Sequence, residues 1–209
     1  MEVSAYGNPN ACTLLFQPFD AHDLGWIEKE MAAIRENTAE DFRLIAFRVK
    51  DWNQDLSPWK APAVFGKEDF GGRAADTLKE VMEFCTDRTK TYIIGGYSQA
   101  GLFALWTAYQ TDLFHGVAAA SPSVWFPGFS DFMKEHELRS RHVYLSLGDQ
   151  EERTRNPVMA TVGDKIRTAI ALLRNQGTDC VLEWNEGNHF RDADLRTAKA
   201  FSWVMKRNP

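Results

Sequence analysis

Cysteine is scarce in this chain, with three in 209 residues, and basic charge is in deficit. Cys12, Cys85 and Cys180 are odd in number and far apart, which argues against a disulfide framework or a zinc cluster and favours free thiols in a reducing compartment. Lys and Arg total 24 against 29 Asp and Glu, a formal net charge of -5, and the cations form no run. Without a cationic surplus a surface has little with which to neutralise phosphates, so no nucleic-acid partner is expected. No apolar stretch is long enough to span a bilayer. The opening Met1-Glu2-Val3-Ser4-Ala5 lacks the basic segment and apolar core of a secretory leader. A cytoplasmic protein with no membrane partner is therefore the expectation. Internal repeats, low-complexity tracts, linkers and a Gly-rich phosphate loop are also missing. What remains is an ordinary globular balance, 44% hydrophobic and 25% charged, in a length that suits one domain over residues 1–209.

Short apolar runs alternate with segments of helical period. Thr13–Gln17, Leu44–Val49, Thr91–Ile94, Gly116–Ala120, His142–Leu147 and Val181–Trp184 read as strands. Leu24, Ile27, Met31 and Ile34 recur at helical spacing, as do Phe70, Ala74, Leu78 and Val81. So do Val158, Val162, Ile166, Ile170 and Leu173, with Gly177 placed as a C-terminal cap. The segment from Ser98 to Tyr109 is helical and apolar nearly all round, and Leu195, Ala198, Phe201 and Met205 mark a last helix. Between Lys50 and Gly72 lies a loop rich in Trp, Pro and Asp. Strands alternating with helices predict an α/β fold, a mostly parallel sheet of about six strands with helices on both faces. The strands are continuous apolar runs, as burial on both faces requires. In such sheets functional groups collect on loops beyond the C-terminal strand ends.

There the chain carries Gly96-Tyr97-Ser98-Gln99-Ala100-Gly101, after a strand and before a helix. A serine on that turn is held on a strained backbone with its hydroxyl above the sheet. The turn brings the residues two before and two after it together, so both must be small, and Gly96 and Ala100 are. The backbone N–H of Gln99 then faces the space above Ser98 and can stabilise an oxyanion, helped by the positive end of the helix. The plain alternative is a serine helix cap after a glycine turn; the strand-before, helix-after setting favours the nucleophile.

In the α/β-hydrolase arrangement the acid follows the serine in sequence and the histidine comes last. His189, in Asn185-Glu186-Gly187-Asn188-His189-Phe190, follows the last strand and precedes the last helix. His22, His115, His136 and His142 lie before the acid region or on helix and strand surfaces, where bland roles suit them better. The acid should follow the strand ending at Leu147, where Asp149, Glu151 and Glu152 compete within Gly148-Asp149-Gln150-Glu151-Glu152. A second oxyanion N–H should come from the loop after Thr13–Gln17. Pro18 has none, so Phe19 is the first choice.

These segments, with Ser121-Pro122-Ser123-Val124-Trp125 as the most group-specific, resemble the esterase group of α/β hydrolases that includes enterochelin esterases and similar small acyl esterases. The resemblance runs from about Thr13 to Val204. It implies a Ser/His hydrolase acting on a small-molecule carboxylic ester, with no cofactor and no metal. In related hydrolases the acid often stands three residues beyond a strand-ending Gly, which puts Glu151 first, Asp149 second and Glu152 third. The chain departs from fuller members in being short, in lacking their N-terminal antiparallel strands and in having no insertion of cap-domain length. No residue supports siderophore specificity in particular.

Trp125 is a candidate for lining the substrate pocket, with Trp52 and Trp59 behind it; core packing is the alternative for all three. Asp20, His22 and Asp23 suggest a metal cluster only superficially, since a third spaced ligand group is lacking and helix capping by Asp20 or Asp23 is the simpler role. Competing functions are a thioesterase or acyltransferase on the same Ser-acid-His set, and a non-catalytic binding protein of the same fold. Oligomeric state is not legible.

Overall fold

The computed structural model describes residues 1–20 and 24–207. Its strands are β1 (Val3–Gly7), β2 (Thr13–Phe19), β3 (Phe42–Arg48), β4 (Lys60–Ala61), β5 (Phe70–Gly71), β6 (Thr91–Tyr97), β7 (Gly116–Ala120), β8 (His142–Gly148) and β9 (Asp179–Asn185). Helices α1 (Leu24–Asn37), α2 (Trp52–Asp55), α3 (Ala74–Met82), α4 (Gln99–Gln110), α5 (Phe129–Glu135), α6 (Val162–Asn175) and α7 (Ala193–Met205) intervene, with 3-10 turns at Glu151–Arg153 and Met159–Thr161.

One sheet of seven strands runs β1-β3-β2-β6-β7-β8-β9. All its pairs are parallel except β1 with β3. The mostly parallel sheet of about six strands is as expected, and β1 adds an antiparallel edge strand where the sequence suggested that N-terminal antiparallel strands were lacking. Its pattern, Val3-Ser4-Ala5-Tyr6-Gly7, is only partly buried, so it shows no apolar run. The loop expected at 50–72 contains α2 and a small β4–β5 ribbon. That ribbon takes Phe70, which helical spacing alone groups with the following helix.

Successive residues in each strand point to opposite faces and feed two cores. Phe16, Ile45, Phe47, Ile94, Val117 and Ala119 join α3, α4 and α6 on one side. Leu15, Leu44, Ala46, Ile93, Ala118 and Ala120 join α1 and α7 on the other. Each fully buried Leu or Phe contributes roughly 1.5–3 kcal/mol, against about 0–1 kcal/mol for an exposed ion pair. Packing therefore holds the sheet. The central strands carry small residues because helices press close: a Cβ on Gly95 would stand 2.7 Å from the Phe201 ring of α7. Gly177, at φ +76°, ends α6 as its position in the sequence suggests.

Chain order reverses between β2 and β6, since β2 crosses to β3 on one side while β6 continues to β7 on the other. The crevice outside the carboxyl ends of such strands is where ligands sit in open α/β sheets. Register brings the relevant loops side by side there. Tyr97 pairs with Ala120, so Ser98 adjoins Ser121. Gly148 pairs with Asn185, so the loop after β8 adjoins the loop after β9.

Candidate active site

Ser98 sits between β6 and α4 with φ 56° and ψ -115°, a region that a residue with a Cβ seldom occupies. The surroundings enforce it. Ser98 N–H donates to Ala120 O (3.1 Å), while Ser98 O accepts from Leu102 (3.0 Å) and Ser123 (3.0 Å). A Cβ on Gly96 would come within 2.6 Å of Ala100 Cβ, and one on Gly101 within 3.1 Å of Gly96 O. Three small residues thus let the turn close, and the hydroxyl is left facing the crevice.

Ser98 Oγ lies 2.9 Å from His189 Nε2, and His189 Nδ1 lies 2.6 Å from Glu151 Oε2. The imidazole is a quarter exposed, whereas the Glu151 side chain is only 3% exposed. Its other oxygen, Oε1, accepts from Gly148 N–H (2.7 Å), Ser121 Oγ (2.8 Å) and Arg196 Nη1 (3.1 Å). Both carboxylate oxygens are therefore engaged, as a buried charge requires. Such a chain can pass the serine proton to the imidazole and stabilise the imidazolium.

The competing acids point elsewhere. Asp149 Oδ1 accepts from Gly187 N–H (2.9 Å) and Glu152 meets Arg167 (3.4 Å). The other described histidines are also occupied: His115 with Arg207 O, His136 with Phe132 O and His142 with Asp179. His22 and Asp23 lie outside the described residues, and with them the test of the Asp20/His22/Asp23 grouping. Among the described residues no cluster of His, Cys, Asp and Glu is arranged to hold a metal.

Gln99 opens α4, so its N–H belongs to the unpaired first turn beside Ser98. Phe19 closes β2; its carbonyl accepts from Val49 N–H (3.0 Å), and its parallel register with Arg48 turns its own N–H to β3 rather than to Ser98. Its neighbours Gln17 and Pro18 line, with Ser98, Trp52 and Tyr97, a hollow of about 180 Å³. A second hollow of about 170 Å³ is lined by Trp125, Met159, Val162, His189 and Phe190. Trp125 and Trp52 thus face the site. Trp59 does not: it packs on Phe126, Phe129 and Phe132 and donates to Pro127 O (3.0 Å).

Sequence reasoning singles out Ser121-Pro122-Ser123-Val124-Trp125 but gives its serines no task. Here Ser121, at φ 42°, donates to Glu151, and Ser123 Oγ stands 3.3 Å from Ser98 Oγ. Arg196 escapes sequence reasoning altogether. It carries no local signal, being one basic residue in an amphipathic last helix. Tyr97 reads in the sequence only as part of the turn. Its hydroxyl donates to His189 O (2.8 Å), and burial pushes its pKa up, so it stays a donor.

No family model matches the chain, and no curated protein matches it in sequence. Solved structures match it in shape. A siderophore hydrolase, EstA from Aspergillus nidulans, gives a TM-score of 0.71 at 17% identity over 96% of this chain and 85% of that one. An IroE-like serine hydrolase from Shewanella oneidensis gives 0.74 at 12% identity over 98% and 75%. Brefeldin A esterase, a bacterial homologue of human hormone-sensitive lipase, gives 0.60 at 11% identity over 98% and 69%. The chain has the α/β-hydrolase fold.

Proposed function

We propose that the protein is a serine hydrolase that cleaves small carboxylic esters through an acyl-enzyme on Ser98. The observation that carries this reading is the continuous Ser98–His189–Glu151 contact, built on a serine held at positive φ. A serine in a structural cap has no need of a strained backbone or of an imidazole backed by a buried carboxylate.

In the first half-reaction His189 Nε2 takes the Ser98 proton as Oγ attacks the carbonyl carbon. The resulting oxyanion is met by the N–H of Gln99, at the positive end of α4. As the tetrahedral species collapses, His189 returns the proton to the departing alkoxide, which leaves as the alcohol. Water then repeats the cycle on the acyl-enzyme and releases the acid. Glu151 holds the imidazole in the tautomer that leaves Nε2 free to accept.

The two hollows flanking Ser98 and His189 are small, which favours compact acyl and alcohol groups. That the neighbours in shape include a siderophore hydrolase and an esterase favours an ester as the bond cleaved. The test is a fluorophosphonate probe with an ester panel graded in acyl length and aromaticity. Wild type should label and turn over p-nitrophenyl acetate, and Ser98→Ala should do neither while keeping its melting temperature. Full turnover by a clean Ser98→Ala preparation would refute the assignment.

A further inference from the structure

Arg196 is a buried cation, its side chain 3% exposed, in the part of the molecule where burial costs a charge most. Its guanidinium reaches four groups that belong to four different segments. Nη1 donates to Glu151 Oε1 (3.1 Å) on the loop after β8, to Tyr97 Oη (3.1 Å) at the end of β6 and, at longer range, to Ser121 Oγ (3.4 Å) after β7. Nη2 donates to Glu186 O (3.0 Å) on the loop after β9. Tyr97 in turn donates to His189 O (2.8 Å) and adjoins Ser98 in sequence. One side chain from α7 thus touches the acid and the histidine-bearing loop, and it reaches the nucleophile strand as well.

We infer that Arg196 is a positioning residue of the hydrolytic site: it fixes the Glu151 carboxylate and the His189 loop together, and its charge sets the proton affinity of the Glu151–His189 pair. The inference rests on the reading of Ser98 and His189 as nucleophile and base. A carboxylate held against a guanidinium presents a nearly neutral pair to the imidazole. Remove the guanidinium and the full negative charge faces His189 from a site with little water to screen it. A proton is then bound more tightly by the pair, wherever within it the proton rests. The base is occupied over more of the pH range, and turnover is lost from the acid side.

Other charges near the pair do not substitute. Arg153 lines the same hollow but stands on its exposed side, Glu186 is held by Arg191 (2.8 Å), and Glu152 is turned to Arg167. Asp149 is bound to Gly187 N–H, and Tyr97 stays protonated through burial.

The experiment is a pH profile of kcat/KM on a p-nitrophenyl ester for wild type, Arg196→Met and Arg196→Lys. For Arg196→Met the acid limb should move to higher pH by about one pH unit or more. On the acid side of both limbs the rate then falls about tenfold for every pH unit by which the limb has moved. Arg196→Lys keeps the charge but cannot make the forked contacts to Tyr97, Glu151 and Glu186 at once. Its limb should stay at the wild-type position while kcat falls. A folded Arg196→Met with the wild-type limb would overturn the inference. So would Arg196→Lys with wild-type kcat, or with a limb displaced like that of a neutral side chain, and this second variant decides the matter should Arg196→Met fail to fold. A wild type that neither labels with fluorophosphonate nor hydrolyses esters would overturn the hydrolase reading and this inference together, whereas an active wild type with an indifferent Arg196 overturns the inference alone.

Discussion

Asp149 Oδ1 accepts a hydrogen bond from Gly187 N–H at 2.9 Å, and so ties the loop after β8 to the loop after β9. A second bond, Gln150 N–H to Gly187 O (3.1 Å), runs beside it. The carboxylate that stands second as the acid thus fastens the histidine loop and leaves His189 to Glu151.

The three neighbouring carboxylates should accordingly separate by mutation. Glu151→Gln keeps the shape of the side chain but favours the wrong imidazole tautomer, and should lower kcat by about four orders of magnitude, as in a related triad. Asp149→Asn retains an oxygen for Gly187 N–H and should stay within a few-fold of wild type. Asp149→Ala removes that acceptor and should cost about 1 kcal/mol of stability. Glu152→Gln should be silent. Steady-state kinetics and thermal melts on the four variants check this, and a severe loss confined to Asp149→Asn would transfer the acid role.

Ala100 is fully enclosed, and its Cβ occupies the space into which a side chain at Gly96 would project. Ala100→Val adds two methyl groups at the tightest point of the turn. It should lower stability by about 1–3 kcal/mol through overpacking and lower kcat in parallel, because the same backbone aims Ser98. A variant with unchanged melting temperature and rate would mean that the turn has slack the geometry does not suggest.

Trp125 is nearly buried and forms one wall of the hollow beside His189. Trp125→Ala should cost about 3–5 kcal/mol and enlarge that hollow. Among esters of graded size the preference should move towards bulkier groups, read as a ratio of kcat/KM values. A uniform loss across the panel would place Trp125 in the scaffold only.

The thiols offer a test that does not depend on activity. Cys12 is exposed, whereas Cys85 is buried and its pKa is pushed up to about 12 by desolvation. In native protein a disulfide reagent at pH 8 should modify Cys12 promptly and Cys85 only after denaturation. A folded-state pKa above the unfolded one contributes stability that is whole below the unfolded value of 9.0 and is lost as pH rises through the folded value. Stability should therefore decline between pH 9 and 12, and Cys85→Ala should flatten the early part of that decline. The remainder should persist, because burial also raises the pKa values of Tyr109 and Tyr144. A decline identical in Cys85→Ala would rule the thiol out.

By itself the sequence determined what local periodicity and chain order can encode. Apolar runs marked the six parallel strands, since burial on both faces leaves no polar alternation to blur them. Glycine and small residues around Ser98 marked the turn, because only small side chains permit it. Serine, acid and histidine in order on the loops after β6, β8 and β9 named the candidates, since a parallel sheet carries such loops to one edge. Tertiary structure alone decided the rest. Asp149, Glu151 and Glu152 are chemically alike and adjacent, and only the register of β8 with β9 aims one of them at His189, 38 residues away. Edge strand β1 was invisible because half of it faces solvent. Arg196 lies 45 residues from Glu151, and nothing in its own helix tells a buried cation from a solvated one. Its place is set by the packing of α7 on the sheet through Ala198, Phe201 and Val204, a long-range fit that no local pattern records.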